Sequence, residues 1–160
     1  MGTEILVRVQ DRLAPMVREA ALALDTLVLQ LAPADLLAVV RLLKTDFGFD
    51  LFADVTAVDW LGQDPRFEVV HQFYSTQHFV RVRVKTRVSE QDPTVDSLVP
   101  LYGSARFMER EFHEMYGIGF RGNPDLRPLL LYEGFVGHPL RKDYPKQQEQ
   151  PLVPYREPPS

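Results

Sequence analysis

The chain contains no cysteine, and that absence excludes more than any other feature. Disulfides, thiolate-held iron–sulfur clusters, cysteine-based zinc sites and a cysteine nucleophile all drop out. Long apolar runs are missing as well. The richest stretch, Ala20 to Val40, is broken by Asp25, Gln30 and Asp35, well short of the ~18 uninterrupted apolar residues of a membrane-spanning helix. There is no excess of positive charge either. The formal net charge is -4, whereas a nucleic-acid partner calls for a basic footprint, so none is expected. Met1 to Gln10 has no basic segment leading into a long apolar one. The expectation is a protein that stays in the cytosol or lies peripherally on the cytoplasmic side of the cell membrane.

What is present reads as one globular unit. With 160 residues, 45% hydrophobic and 25% charged, the chain can bury a real core. Ile5, Val9 and Leu13 recur at helical spacing, and Pro15 stops that helix. Asp25 to Leu31 alternates as a first strand. Pro33 opens a helix that lines up Leu36, Val40, Leu43 and Phe47 and ends at Gly48. Three strands follow: Leu51–Trp60, Phe67–Ser75 and Phe79–Val88. In the last, Val80, Val82, Val84 and Val88 alternate with Arg81, Arg83, Lys85 and Arg87, which marks one buried and one wet face. The basic row is read as a solvated face, partly neutralised by Glu68 from the next strand. Short connections predict antiparallel neighbours. Thr94–Leu101 is expected to form a short helix, and Ser104 to cap a firmer one whose Met108, Phe112 and Met115 share a face and which stops at Gly117. The expected fold is α+β, an α/β sandwich with a mostly antiparallel sheet of about four strands, helices on one face and an extended C-terminal tail.

The division falls at Gly117. Residues 1–117 form the periodic domain. The tail, 118–160, holds eight of the 13 prolines and no regular period. Leu126, Leu129, Leu130, Leu131, Tyr132, Phe135, Val136 and Leu140 are too apolar for a solvated coil. An extended segment cannot make its own core, so it must lie on its own domain or on a partner. The stretch from Lys146 to Ser160 is polar and proline-rich, and is expected to be loose when alone.

Three motifs invite chemistry. Gly117–Ile–Gly–Phe–Arg–Gly122 spells the dinucleotide fingerprint, but the fingerprint needs a strand before it and a helix after it. Here a helix precedes and Asn123–Pro124 follows, so a C-cap glycine and a tight turn is the reading. His113–Glu114 lacks the second histidine of a zinc protease, and Glu109 with His113 has no further ligand nearby, which leaves a surface hydrogen bond. Arg106, Arg110 and Glu114 stand at i,i+4 spacing, where an exposed ladder contributes only tenths of a kcal/mol. The densest polar knot is His138–Pro–Leu–Arg–Lys–Asp–Tyr–Pro145. Two prolines stiffen it and Arg141 can make forked bonds, so it is read as a recognition element.

Glu109–Arg–Glu111, Glu114, Gly117–Ile118, Gly122, Pro124–Asp–Leu–Arg127 and Gly137–His–Pro–Leu–Arg–Lys–Asp–Tyr–Pro145 together resemble the signature of the C-type subunit of NADH:quinone oxidoreductases of the respiratory complex I type. Asn123 departs from it, standing where the family usually has histidine. The resemblance implies a non-catalytic, 30 kDa-type subunit of the peripheral arm, with an α/β sandwich for its N-terminal domain. It implies no cofactor in this chain, with FMN and iron–sulfur clusters in partner subunits. The implied partners are the quinone-site subunit (D type) and the terminal-cluster subunit (B type). Interface roles are implied for Glu109, Arg110, Glu111, Arg127, His138, Arg141, Lys142 and Asp143. The same module in a membrane-bound hydrogenase or a ferredoxin-driven quinone reductase is the alternative, and a stand-alone nucleotide- or RNA-binding module is a third.

Overall fold

The computed structural model describes residues 2–147; the stretch expected to be loose lies outside them from residue 148 onward. Helix α1 spans Gly2–Leu13 and places Ile5, Leu6, Val9 and Leu13 in the core. At Ala14–Met16, with Pro15 inside it, the chain tightens into a 3-10 turn and leaves the helix. Strands β1 (Glu19–Ala23) and β2 (Thr26–Leu31) follow as a hairpin. A 3-10 turn at Pro33–Asp35 leads into α2, Leu36–Thr45, whose Leu36, Val39, Val40 and Leu43 are buried. Strands β3 (Leu51–Asp59), β4 (Phe67–Ser75) and β5 (Val80–Val88) complete the main sheet. A short β6 (Thr94–Asp96), helix α3 (Ala105–Tyr116) and β7 (Gly119–Arg121) close the described order.

The sheet has five strands in the order β1-β2-β5-β4-β3. It is mixed: β2 runs parallel to β5, and the other three pairings are antiparallel. The expected count of about four strands is corrected by β1, whose Glu-Ala-Ala-Leu-Ala sequence carries no alternation. It is a strand because the hairpin lays it against β2, where the ladder of backbone hydrogen bonds outweighs the weak β-preference of alanine. The helix expected over Thr94–Leu101 is also corrected: Thr94–Asp96 pairs in parallel with Gly119–Arg121. That partner lies beyond α3, so no local pattern announces it.

One face of the sheet meets α1 and α2 across a core that includes Leu27, Leu29, Leu31, Val82, Val84 and Phe73. Each such side chain contributes roughly 1.5–3 kcal/mol when fully buried. Helix α3 turns Ala105, Met108, Phe112 and Tyr116 to this core, and Met115 falls to the side, which shifts the expected apolar face. Ser104 is not a side-chain cap. The first amides of α3 instead donate to the carbonyls of Tyr102, Gly103 and Ser104 in the preceding turn. His71 sits fully buried on β4 beside the rings of Phe52 and Phe73, with neither ring nitrogen hydrogen-bonded. Burial alone pushes its pKa down to about 3, so it is a neutral core residue.

Candidate functional site

The last four carbonyls of a helix have no partner within it. In α3 these belong to residues 113–116, and the chain supplies a donor to each. Gly117, at φ 72°, returns its N–H to the carbonyl of His113. The other three go to the 138–141 segment: Nδ1 of His138 is 2.8 Å from the carbonyl of Glu114, the Leu140 N–H donates to Met115, and Nε of Arg141 donates to Tyr116 at 2.6 Å. A cation at a helix C-terminus also meets the negative end of the macrodipole. Arg141 lies over the ring of Phe67 as well, 5.0 Å from its centroid.

The next two residues reach the far end of the sheet. The Lys142 N–H donates to Asp59 at 2.8 Å, and Asp143 accepts from Arg66 at 2.9 Å. Arg66 forms a fork onto Asp59, with both bonds 2.8 Å, and reaches Glu90 at 2.5 Å. Both Asp59 and Arg66 are buried. The guanidinium holds the Asp59 and Asp143 carboxyls below their usual range, against the opposing effect of burial. A charge this deep is stable only because every carboxylate faces the same guanidinium.

The upstream tail is held by three other side chains of α3. Glu109 is fully buried: one oxygen accepts from Ser97 Oγ at 2.7 Å and Asn123 at 2.9 Å, the other from the Leu98 N–H at 2.7 Å. Burial pushes its carboxyl up, and these donors counter the effect in part. Arg110 donates to the carbonyls of Arg127 and Pro128, both at 2.9 Å. Glu114 accepts from the backbone N–H groups of Leu129, Leu130 and Leu131. The expected surface ladder of Arg106, Arg110 and Glu114 is therefore corrected. Arg106 and Arg110 approach Asp125 at 3.8 and 3.6 Å, and Glu114 is buried under the tail. His113 bonds to the carbonyl of Ile118, not to Glu109.

The residues singled out from sequence thus separate into two groups. Glu109, Arg110, His138, Arg141 and Asp143 bind the tail to its own domain. Glu111 is half-buried, whereas Arg127, forked onto Asp125, and Lys142 stand exposed. Asp59, Arg66, Glu90 and Ser97 escape sequence reasoning as site residues, because Asp143 and Lys142 reach the Asp59–Arg66 pair from far along the chain and Ser97 meets Glu109 only across the turn before α3; Asp125 stands in the quoted signature, but without a role of its own. Asn123 fills its departed position as a plain hydrogen-bond donor to Glu109.

With the tail's backbone and charges turned inward, its apolar side chains turn out. Leu129, Leu130, Tyr132, Val136 and Leu140 are exposed, Leu130 at 61% and Val136 at 71%, and Phe107 of α3 is exposed with them. A recess of about 180 Å³ opens beside them, lined by His113, Leu126, Leu131, Tyr132 and Phe135. Scattered surface apolar residues are ordinary, whereas a gathered apolar patch is a candidate interaction site. Among the described residues, no group of three or more His, Asp or Glu side chains is placed to hold a metal, and no helix is long and apolar enough to cross a membrane.

Comparison with known proteins gives this arrangement its context. Residues 29–150 match the family model of the respiratory-chain NADH dehydrogenase 30 kDa subunit. The chain is 37% identical over 142 residues to the C-type subunit of the NADH-quinone oxidoreductase of Geotalea uraniireducens, covering 89% of this chain and 87% of the relative. It is 44% identical over 123 residues to the mitochondrial NADH-ubiquinone oxidoreductase 30.4 kDa subunit of Neurospora crassa, covering 76% of this chain and 43% of the relative. Among solved structures, a trypsin-resistant fragment of Nqo5 superposes with a TM-score of 0.68 at 29% identity, covering 79% of this chain and 100% of the fragment. A chain of the membrane-bound sulfane sulfur reductase, an archaeal respiratory membrane complex, shares the fold with a TM-score of 0.79 at 23% identity, over 91% and 86% of the two chains. The chain belongs to the 30 kDa subunit family of respiratory-chain NADH dehydrogenases, the C-type subunits of NADH-quinone oxidoreductase.

Proposed function

We propose that this chain is a non-catalytic docking subunit in the peripheral arm of a proton-translocating NADH:quinone oxidoreductase. Its tail attaches to the quinone-site subunit and lies near the terminal-cluster subunit, on the cytoplasmic side of the membrane. FMN and the iron–sulfur clusters reside in partner subunits, and electrons pass from NADH to quinone through them. One observation carries the reading: the polar groups of the tail are bound to α3 and to Arg66, so Leu129, Leu130, Tyr132, Val136 and Leu140 face outward. An apolar centre rimmed by charge is the anatomy of a protein interface. Glu111, Arg127 and Lys142 supply the rim. Glu109, Arg110, His138, Arg141 and Asp143 act from behind it by setting the path of the tail.

The test is co-purification of the tagged chain with the quinone-site subunit. The pair should be recovered with the natural sequence and lost with Leu130→Asp/Val136→Asp, while the variant keeps its circular dichroism. Undiminished recovery would remove the tail from the interface.

A further inference from the structure

The two edges of the main sheet are treated differently. Along β3 the register shifts between Phe52 and Asp54, the Asp54 carboxylate takes the Val55 N–H at 2.9 Å, and α3 packs against the strand. Irregular pairing and a covering helix are usual means of blunting a strand edge. The other edge, β1, has neither. Its sequence is Glu-Ala-Ala-Leu-Ala, with no lysine, no proline and an unbroken register against β2 from Glu19 to Ala23. Four of its five residues are exposed, and alanine side chains are too short to screen the backbone behind them.

The turn fixes which backbone groups are free. Leu24 and Asp25 form a two-residue turn, so Ala23 and Thr26 bond to each other and the alternation continues through Ala21 and Glu19. Ala20 and Leu22 therefore aim their N–H and C=O groups away from the sheet, and among the described residues no bond reaches them. They repeat every second residue, ~6.8 Å apart, a spacing of donors and acceptors that an extended chain matches. We propose that β1 is a second docking edge, at which an extended segment of another subunit of the assembly adds a strand to the sheet.

The side chains define that segment. On the helix face, Leu22 is 50% exposed beside buried Leu27 and Leu29, and calls for an apolar residue across from it. On the other face a recess of about 150 Å³ lies along the edge, lined by Glu19, Ala21, Val28, Gln30 and Lys85. Lys85 is already paired with Glu68 at 2.9 Å, whereas Glu19 has no ion-pair partner among the described residues. The segment thus alternates an apolar residue toward Leu22 with a lysine or arginine toward Glu19. A second copy of this chain fits less well. Paired antiparallel about Ala21, it sets Glu19 against Ala23 and not against a cation. Five residues a side also fall far short of the roughly 20–30 of a standard interface. So small an edge suits a strand whose own subunit is held elsewhere in the same assembly, where linkage supplies a high effective concentration.

The edge is separate from the tail, whose anchors Asp59 and Arg66 lie on β3 and just before β4. Four strand spacings put β1 ~19 Å from β3. The inference rests on membership in the complex and not on the route of the tail.

Hydrogen exchange resolved to single amides tests it, comparing the full isolated chain with the respiratory complex purified from its host membrane. In the isolated chain Ala20 and Leu22 should exchange fast, and Ala21 and Ala23 slowly. In the complex Ala20 and Leu22 should slow several-fold; equal rates in the two preparations would overturn the proposal. Leu22→Pro removes an outward-facing donor and spares the ladder with β2. It should leave the circular dichroism of the isolated chain unchanged and reduce its retention in the complex more than Leu22→Ala, which keeps the N–H. Equal retention of the two would overturn pairing through the backbone. Glu19→Lys should lower retention as well, and full retention would overturn the basic strand. Protection of Ala20 and Leu22 that grows with the concentration of the isolated chain would replace the partner strand by a second copy and overturn the proposal.

Discussion

A Cβ built on Gly117 would fall 2.5 Å from a terminal guanidinium nitrogen of Arg141, and 2.6 Å from Nε2 of His138. The glycine that ends α3 is thus also the floor on which the returning tail rests. Gly117→Ala combines two penalties: a left-handed backbone that costs a side chain roughly 1–2 kcal/mol, and displacement of both tail anchors. The melting temperature should fall, and amide exchange at Leu140 and Arg141 should speed up more than in the core strands. Uniform acceleration across the molecule would mean that the glycine serves the helix and not the tail.

Arg66 and Asp143 should respond very differently to truncation. Removing Arg66 strands a buried Asp59, so Arg66→Ala should cost roughly 3–5 kcal/mol in urea unfolding. The Asp143 side chain is 46% exposed, and its loss in Asp143→Asn should cost about 1 kcal/mol or less. Equal effects would contradict the ranking by burial.

Acid should loosen the tail anchor. The Asp59 and Asp143 pKa values are lowered in the folded chain, chiefly by bonds from Arg66. Their contribution is complete above the unfolded carboxylate pKa of about 4. It disappears as pH falls through the lower folded values. Trp60, whose backbone N–H donates to the Arg66 carbonyl, is the chain's single tryptophan. Its fluorescence should shift below pH ~4, and no shift before global unfolding would argue against a separable anchor.

His71 produces a second acid window, at higher pH. Its folded pKa of about 3 lies below the unfolded value of about 6.5. Between them the unfolded chain binds a proton that the folded chain refuses, so stability falls as pH falls, by about 1.4 kcal/mol per unit. His71→Leu should flatten the dependence of urea-unfolding free energy on pH between pH ~6 and ~4.5, above the carboxylate window. An unchanged slope would show that the imidazole finds a proton-accepting partner.

Legibility from sequence follows the range of the interactions. β5 can be read residue by residue, because alternation is a local property, and α2 likewise from Leu36, Val40 and Leu43. The parallel partner of β5 cannot, since β2 precedes it by some fifty residues and no turn links them. Thr94–Asp96 reads as helix for the same reason: β7 lies on the far side of α3. In the site, residue types are visible but not their destinations. Arg110 and Glu114 have surface spacing, and only the returning backbone of 127–131 converts them into internal anchors. Asp59 and Arg66 are ordinary strand-end charges until Asp143 arrives from 77 residues away.

A meeting of the tail's outward face with the quinone-site subunit is the central claim. Val136, 71% exposed, is the most direct place to ask. A photo-crosslinking benzoylphenylalanine installed there in the assembled oxidoreductase should yield, on irradiation, a covalent product joining this chain to the quinone-site subunit. Position 8 on α1 serves as the control and should give no such product. Crosslinks confined to this chain, or equal yields from the two positions, would contradict the account.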